Sequence, residues 1–190
     1  MKLIGVTGFS GSGKSTFCNF LKQLGAYVVD ADEIGRNILK KGSSALKEVK
    51  DIFGEKYIME NGELNRKKLG ELVFNNKDEL EKLNRITFRK IEEEIEREIL
   101  NSVGEFVVVD CALLCNMDII HKFDEVVYIT SDMPTLIERI TARDDISYDT
   151  AKNRIENQKT DFLKYATIII ENNKNTDILK KYAERIVKNG

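Results

Sequence analysis

Gly8-Phe9-Ser10-Gly11-Ser12-Gly13-Lys14-Ser15 is the stretch on which the fold turns, with Thr16 directly after it. It fits the phosphate-binding loop pattern G-x-x-x-x-G-K-[ST] in full. An apolar run at residues 3–6 precedes it, and a stretch of helical periodicity at 15–24 follows, closed by Gly25 as a C-terminal cap. That strand-loop-helix context is what the pattern requires. Glycines at such positions let successive N–H groups turn toward phosphate oxygens, and the helix N-terminus adds a favourable dipole for an anion. Lys14 supplies a movable positive charge for the β- and γ-phosphates, and the Ser15 hydroxyl is placed to ligate Mg²⁺. Gly11, Ser12, Gly13, Lys14, Ser15 and Thr16 are therefore the expected core of an ATP site.

Outward from the loop, four more short apolar runs stand at 26–29, 106–109, 126–129 and 168–170. None alternates, as expected of strands in a parallel sheet covered on both faces. Helical patterns separate them, at 33–40, across most of 43–100, and at 133–143, 147–162 and 175–188. The fold class expected is α/β, a doubly wound parallel five-stranded sheet of phosphate-loop NTPase type. One domain spanning 1–190 suits the length. Within it, about 41–103 reads as a helical subdomain beside the sheet, with Asn65 as the N-cap of one helix and a charged helix near 78–100. That insert either covers a substrate or is a solvated helical arm. Pro134, the chain's single proline, falls in the first turn of a helix.

Composition narrows the function. The chain is 42% hydrophobic and 33% charged, with 30 Lys and Arg against 32 Asp and Glu. That balance argues against a general nucleic-acid binder. No segment reaches bilayer-spanning length, and the apolar stretch near Met1 is too short for a secretory signal. Three cysteines and one histidine make a poor zinc set, so a reducing cytoplasm is expected. The guanine-reading pattern Asn-Lys-x-Asp fails at its last position both at Asn76-Lys77-Asp78-Glu79 and at Asn173-Lys174-Asn175-Thr176. Adenine is therefore the expected base.

The second apolar run leads into Asp30-Ala31-Asp32, and Arg36 follows four residues after Asp32. Strand residues i and i+2 face one way, and ligands in open parallel sheets lie beyond the strands' carboxyl ends. Two readings stand for Asp32: a carboxylate that takes a hydroxyl proton beside a phosphate-holding Arg36, or the N-cap of a helix starting at Glu33. Asp110 closes the third run, as a contact to Mg²⁺, directly or through water, or as a turn-starting residue. Arg139 and Arg143, then Arg154 and Gln158, are spaced i, i+4, with Ser147 as a candidate cap between the two helices. They suit a lid over ATP phosphates or an ordinary charged surface.

These features resemble the dephospho-CoA kinase family along nearly the whole chain. The resemblance runs through Ile4 to Thr16, Val28 to Asp32 with Arg36, Leu64-Asn65-Arg66, Val73-Phe74, Asp110, Leu113-Leu114 and Phe123 to Val127. In the tail it includes Glu138-Arg139, Ala142-Arg143-Asp144, Arg154-Ile155, Gln158 and Asn172. It implies an ATP-dependent transferase that phosphorylates the 3′-hydroxyl of dephospho-CoA, the last step of coenzyme A synthesis. It further implies Asp32 as general base, and Lys14 and Arg143 on the transferring phosphoryl group. Arg139 and Asn172 would lie in the ATP site, Asn172 near the adenine, and Arg36, Arg66 and Thr87 on the acceptor side. The insert would bind the acceptor, about 137–163 would be the lid, Mg²⁺ the cofactor, and the protein a monomer or small homo-oligomer. Three places depart from the family's pattern. Phe88-Arg89 stand where it usually has His-Pro, Ala112-Leu113-Leu114-Cys115-Asn116 where it has a Pro-Leu-Leu-Phe-Glu-like stretch, and Ala166-Thr167 where it has Ala-Asp. The alternatives are a kinase of another small acceptor, such as a nucleoside or nucleotide, and a regulatory protein that binds ATP without turnover.

Overall fold

Each of the five apolar runs is a strand to within a residue at either end, with Ala26 left outside the second. The structure, a computed structural model, describes residues 1–158 and 160–189; Lys159 and Gly190 lie outside the described residues. Its order is β1 (Lys2–Thr7), α1 (Lys14–Gln23), β2 (Tyr27–Asp30), α2 (Ala31–Ile38), α3 (Ser44–Phe53), α4 (Arg66–Asn75), α5 (Lys77–Asn101), β3 (Phe106–Asp110), β4 (Glu125–Thr130), α6 (Met133–Asp144), α7 (Tyr148–Glu156), β5 (Ile168–Glu171) and α8 (Asp177–Asn189). The strands form one sheet in the order β2-β3-β1-β4-β5, with every pairing parallel. β1 is central, so the loop at its carboxyl end opens between the ends of β3 and β4.

The continuous apolar pattern of the strands follows from cover on both faces. On one face Ile4, Val6, Val108, Val127, Ile129 and Ile170 pack with Phe17 and Leu21 of α1 and Leu179, Ala183 and Ile186 of α8. On the other, Gly5 lies so close to Leu114 and Phe123 that a side chain there would collide with Leu114. α1 ends as the sequence indicates. Gly25 has φ +96°, its N–H donates to Lys22 O, and Ala26 N–H reaches back to Leu21 O. This is a Schellman closure that turns the chain into β2.

The chain divides into two compact units, Met1–Asp30 with 101 onward, and Ala31–Leu100. The second unit takes in α2 as well as most of the stretch expected at 41–103. It has its own core of Leu46, Val49, Phe53, Tyr57, Leu64, Leu69, Val73 and Ile86. Ser43 caps α3 by accepting from Leu46 N–H, and Asn65 caps α4 by accepting from Lys68 N–H. α5 runs unbroken for 25 residues. Phe88-Arg89 put no proline in its path, and proline is what would remove a backbone donor there.

Two boundaries differ from the periodicity. α2 begins at Ala31 rather than Glu33. α7 ends at Glu156, well short of 162, and a separate 3-10 turn covers Phe162–Lys164. The expected lid at 137–163 holds most of α6, all of α7 and the first two residues of that turn, and takes in Lys159, which lies outside the described residues. α6 carries Pro134 in its first turn, with Asp132 as a cap accepting from Thr135 N–H. Among the described residues no helix is long and apolar enough to cross a membrane.

Candidate active site

Three glycines of the loop have positive φ: Gly8 at 143°, Gly11 at 80° and Gly13 at 103°. Space forbids a side chain at two of them as firmly as torsion does. A Cβ on Gly8 would run into the Ile129 carbonyl, and one on Gly13 would sit 2.5 Å from Asn172 Nδ2. The loop's carbonyls are held by protein donors. Lys14 Nζ donates to Gly8 O and Phe9 O, both at 3.0 Å. Arg139 Nη1 donates to Gly11 O at 3.3 Å, and Asn172 Nδ2 to Ser12 O at 2.8 Å. With these negative ends engaged, an anion entering the loop meets amides rather than carbonyl oxygens.

Each of those side chains arrives from the carboxyl end of the sheet. Asn172 follows β5, with its N–H on Thr130 O and its own carbonyl accepting from Ser131 Oγ. Only 2% of it is exposed. Its amide thus holds the phosphate loop through Ser12 O. Asp110 ends β3, opposite Val6 in register and nearly buried. Ser15 Oγ donates to Asp110 Oδ2 at 3.1 Å, so a hydroxyl and a carboxylate oxygen stand together at the start of α1. These are hard oxygen donors of the kind Mg²⁺ takes. Behind them Cys18 is hydrogen-bonded to Asp110. Burial pushes its thiol well above the usual value, and the carboxylate pushes the same way. Cys18 is therefore a thiol donor, not a nucleophile.

The α6–α7 hairpin is fastened to the loop from the other side. Leu136, Ile137 and Ile140 of α6 pack on Ala151 and Ile155 of α7, with Phe9 of the loop against this cluster. Arg143 Nη2 donates to Ser10 Oγ at 3.1 Å, and Gln158 Oε1 accepts from Ser10 N–H at 3.0 Å. Phe162 stacks on Tyr128 with centroids 4.8 Å apart and meets Phe9 edge-on at 4.9 Å. Arg139, Arg143, Asn172 and the loop residues are thus brought together within one unit. Gln158, expected on the lid, and Phe9 of the loop also belong to this assembly. The i, i+4 spacing with Arg154 does not put Gln158 on a shared helix face, because α7 ends at Glu156.

In the second unit, Asp32 is the second residue of α2 and exposed. The strand-face argument therefore does not apply to it, and neither does the N-cap alternative, because the helix has already begun. Arg36 lies four residues on along the same helix, and Arg66 Nη2 donates to its carbonyl at 3.1 Å, which brings those two arginines together. Thr87 is half-buried in α5, and its hydroxyl is directed to the Leu83 and Asn84 carbonyls of its own helix.

Comparison with known proteins bears on the family and the fold. The dephospho-CoA kinase family model matches residues 2–177. A dephospho-CoA kinase of Dehalococcoides mccartyi is 37% identical over 193 residues, covering 99% of this chain and 97% of its own. The solved dephospho-CoA kinase of Campylobacter jejuni superposes with a TM-score of 0.68 at 28% identity, covering 99% of this chain and 96% of its own. A solved Thermus thermophilus protein shares the fold at a TM-score of 0.83 and 23% identity, covering 99% of this chain and 97% of its own. With a complete phosphate loop, the α6–α7 hairpin bonded to it and a family match along almost its whole length, the chain belongs to the dephospho-CoA kinase family, whose members are ATP-dependent kinases.

Proposed function

We propose that this protein transfers the γ-phosphoryl group of ATP to the 3′-hydroxyl of dephospho-CoA. One observation carries the reading: the loop at residues 8–15 has its carbonyls engaged and is bonded to two lid arginines and Gln158. Such a site is built to hold a polyphosphate and to act on its far end. In phosphoryl transfer most of the catalysis is positioning and charge stabilisation. Lys14 and Arg143 supply that charge at the transferring group, and Arg139 with Asn172 keeps the loop in shape. Ser15 and Asp110 would hold Mg²⁺, which neutralises charge on the β- and γ-oxygens when bound. Asp32 takes the proton of the acceptor hydroxyl, and Arg36, steadied by Arg66, holds the acceptor's own phosphate. Thr87, whose hydroxyl donates to backbone carbonyls of α5, offers its oxygen lone pairs on the acceptor side.

ATP and dephospho-CoA are cytoplasmic metabolites, and the three free cysteines accord with a reducing compartment. The test is a steady-state assay of ADP formation with ATP, Mg²⁺ and a panel of acceptors, with the product's phosphate located on the ribose. Turnover is expected with dephospho-CoA and not with nucleosides or nucleotides. Turnover with a nucleoside alone would reassign the acceptor. ATP binding with no turnover on any acceptor would make the protein a nucleotide-dependent regulator.

A further inference from the structure

Two exposed arginines of the lid share one carboxylate. Arg143 Nε donates to Asp144 Oδ1 at 2.7 Å and its Nη2 to Oδ2 at 3.0 Å, a bidentate pairing. Arg154 Nη1 donates to the same Oδ2. Asp144 is the last residue of α6 and Arg154 lies near the end of α7. Packing of the two helices brings them face to face. The turn between them is tight, with Asp145 in the left-handed region at φ 51° and Ser147 capping α7 by accepting from Thr150 N–H.

An exposed ion pair by itself carries little meaning. This one is anchored beside the phosphate loop by two independent bonds to one loop residue. Arg143 reaches the Ser10 hydroxyl, and Gln158, one turn beyond Arg154, accepts the Ser10 N–H. The carboxylate engages one edge of each guanidinium. It leaves Nη1 of Arg143 and both Nε and Nη2 of Arg154 without a protein acceptor among the described residues. Both side chains stay open to a ligand, at 57% and 46% exposure. Two cations and one anion leave a net positive charge beside the loop that would hold the polyphosphate.

We propose that Asp144 is a positioning residue that sets Arg143 and Arg154 side by side as a paired cation for the terminal phosphate of ATP, which makes Arg154 a second arginine ligand of that group. The inference rests on the kinase reading above. Fixed guanidinium forks lose less freedom on meeting a phosphate than free ones, and their planar geometry suits its oxygens. The hydrogen bonds from Arg143, and then from Arg154, hold the Asp144 carboxyl down to about 2. The clamp therefore stays ionised at every pH where the enzyme would work.

The experiment is calorimetric titration of the full-length protein and its D144N, R154A and R154K variants. Each is titrated with a non-hydrolysable ATP analogue and, separately, with ADP, and a thermal melt is run on each preparation. A terminal-phosphate role predicts that the analogue binds about 10-fold more weakly to D144N and R154A, while ADP changes by less than about 2-fold. R154K should recover part of the loss. In the double variant D144N/R154A the two losses should not add, because one residue acts through the other. Equal weakening of both nucleotides, or no change in either, overturns the proposal. Failure of the dephospho-CoA reading would appear elsewhere, as a wild-type protein that titrates normally with nucleotide and does not turn over that acceptor.

Discussion

Asp32 is an exposed carboxylate in the first turn of a helix, close to the positive end of the helix dipole. A carboxylate there stabilises by roughly 0.3–1 kcal/mol. Replacing it with asparagine should therefore lower the melting temperature by only a few degrees. Its kinetic effect should be larger. A positioned base contributes about 10²–10⁴-fold, and the lower end applies where the transition state is loose and the proton leaves late. Asp32→Asn is thus expected to lower kcat about 10²-fold with ATP affinity nearly unchanged. A full kcat in a folded variant would strike Asp32 from the mechanism. Among single residues, those of the phosphate loop were legible because their signal is local: three glycines, a lysine and a serine at fixed spacing. Asn172 and Gln158 were legible only as members of the site and not by what they hold, because each has a partner far along the chain, Ser12 for Asn172 and Ser10 for Gln158.

At the scale of elements, the lid hairpin is held by a small core of its own, with Ile155 and Ile140 almost fully buried. Ile155→Ala would leave a cavity and cost roughly 2–4 kcal/mol. Because α7 carries Arg154 and leads into Gln158, the damage should fall on the nucleotide side. KM for ATP is expected to rise several-fold while KM for the acceptor holds, and the melt should move to lower temperature. Equal rises in both constants would show that the hairpin does not serve ATP in particular. The strands were readable to within a residue or two, since covered faces leave uninterrupted apolar runs. α7 was over-extended because periodicity continues past the point where tertiary contacts take over. Gln158 turns to Ser10, and Phe162 leaves the helix to stack on Tyr128. α2 started early for a different reason. β2 ends at Asp30 and α2 begins at once at Ala31, so no loop residues stand between them to mark the boundary in the pattern.

Across the whole molecule, the carboxyl ends of the strands carry the chemistry. Thr7 leads into the loop from β1, Asp110 closes β3, Ser131 follows β4 and Asn172 follows β5. A parallel sheet makes this possible, since every strand delivers its last residue to one edge. The sequence implied that arrangement, but the order of the strands came only with the structure. Which neighbour each strand takes depends on pairings that no local pattern encodes. The near balance of charge is reconciled with an anion site in the same way. A few cations, Lys14, Arg139 and Arg143, gather at one loop, while others face water in exposed ion pairs such as Arg97–Glu94.

The rings around Phe9 make the loop optically readable. The chain has no tryptophan, so its near-ultraviolet signal comes from six tyrosines and nine phenylalanines. A ring fixed among asymmetric neighbours is dichroic in that region, and one that tumbles is not. Tyr128 is fixed by Phe162, which in turn touches Phe9 inside the phosphate loop. ATP that shifts the loop or the lid should therefore change the circular dichroism of Tyr128, and the binding curve can be followed without any label. Phe162→Leu should abolish the change while leaving nucleotide binding measurable by calorimetry. A spectrum that does not move at saturating ATP would mean that lid and loop already stand in their working arrangement before the nucleotide arrives.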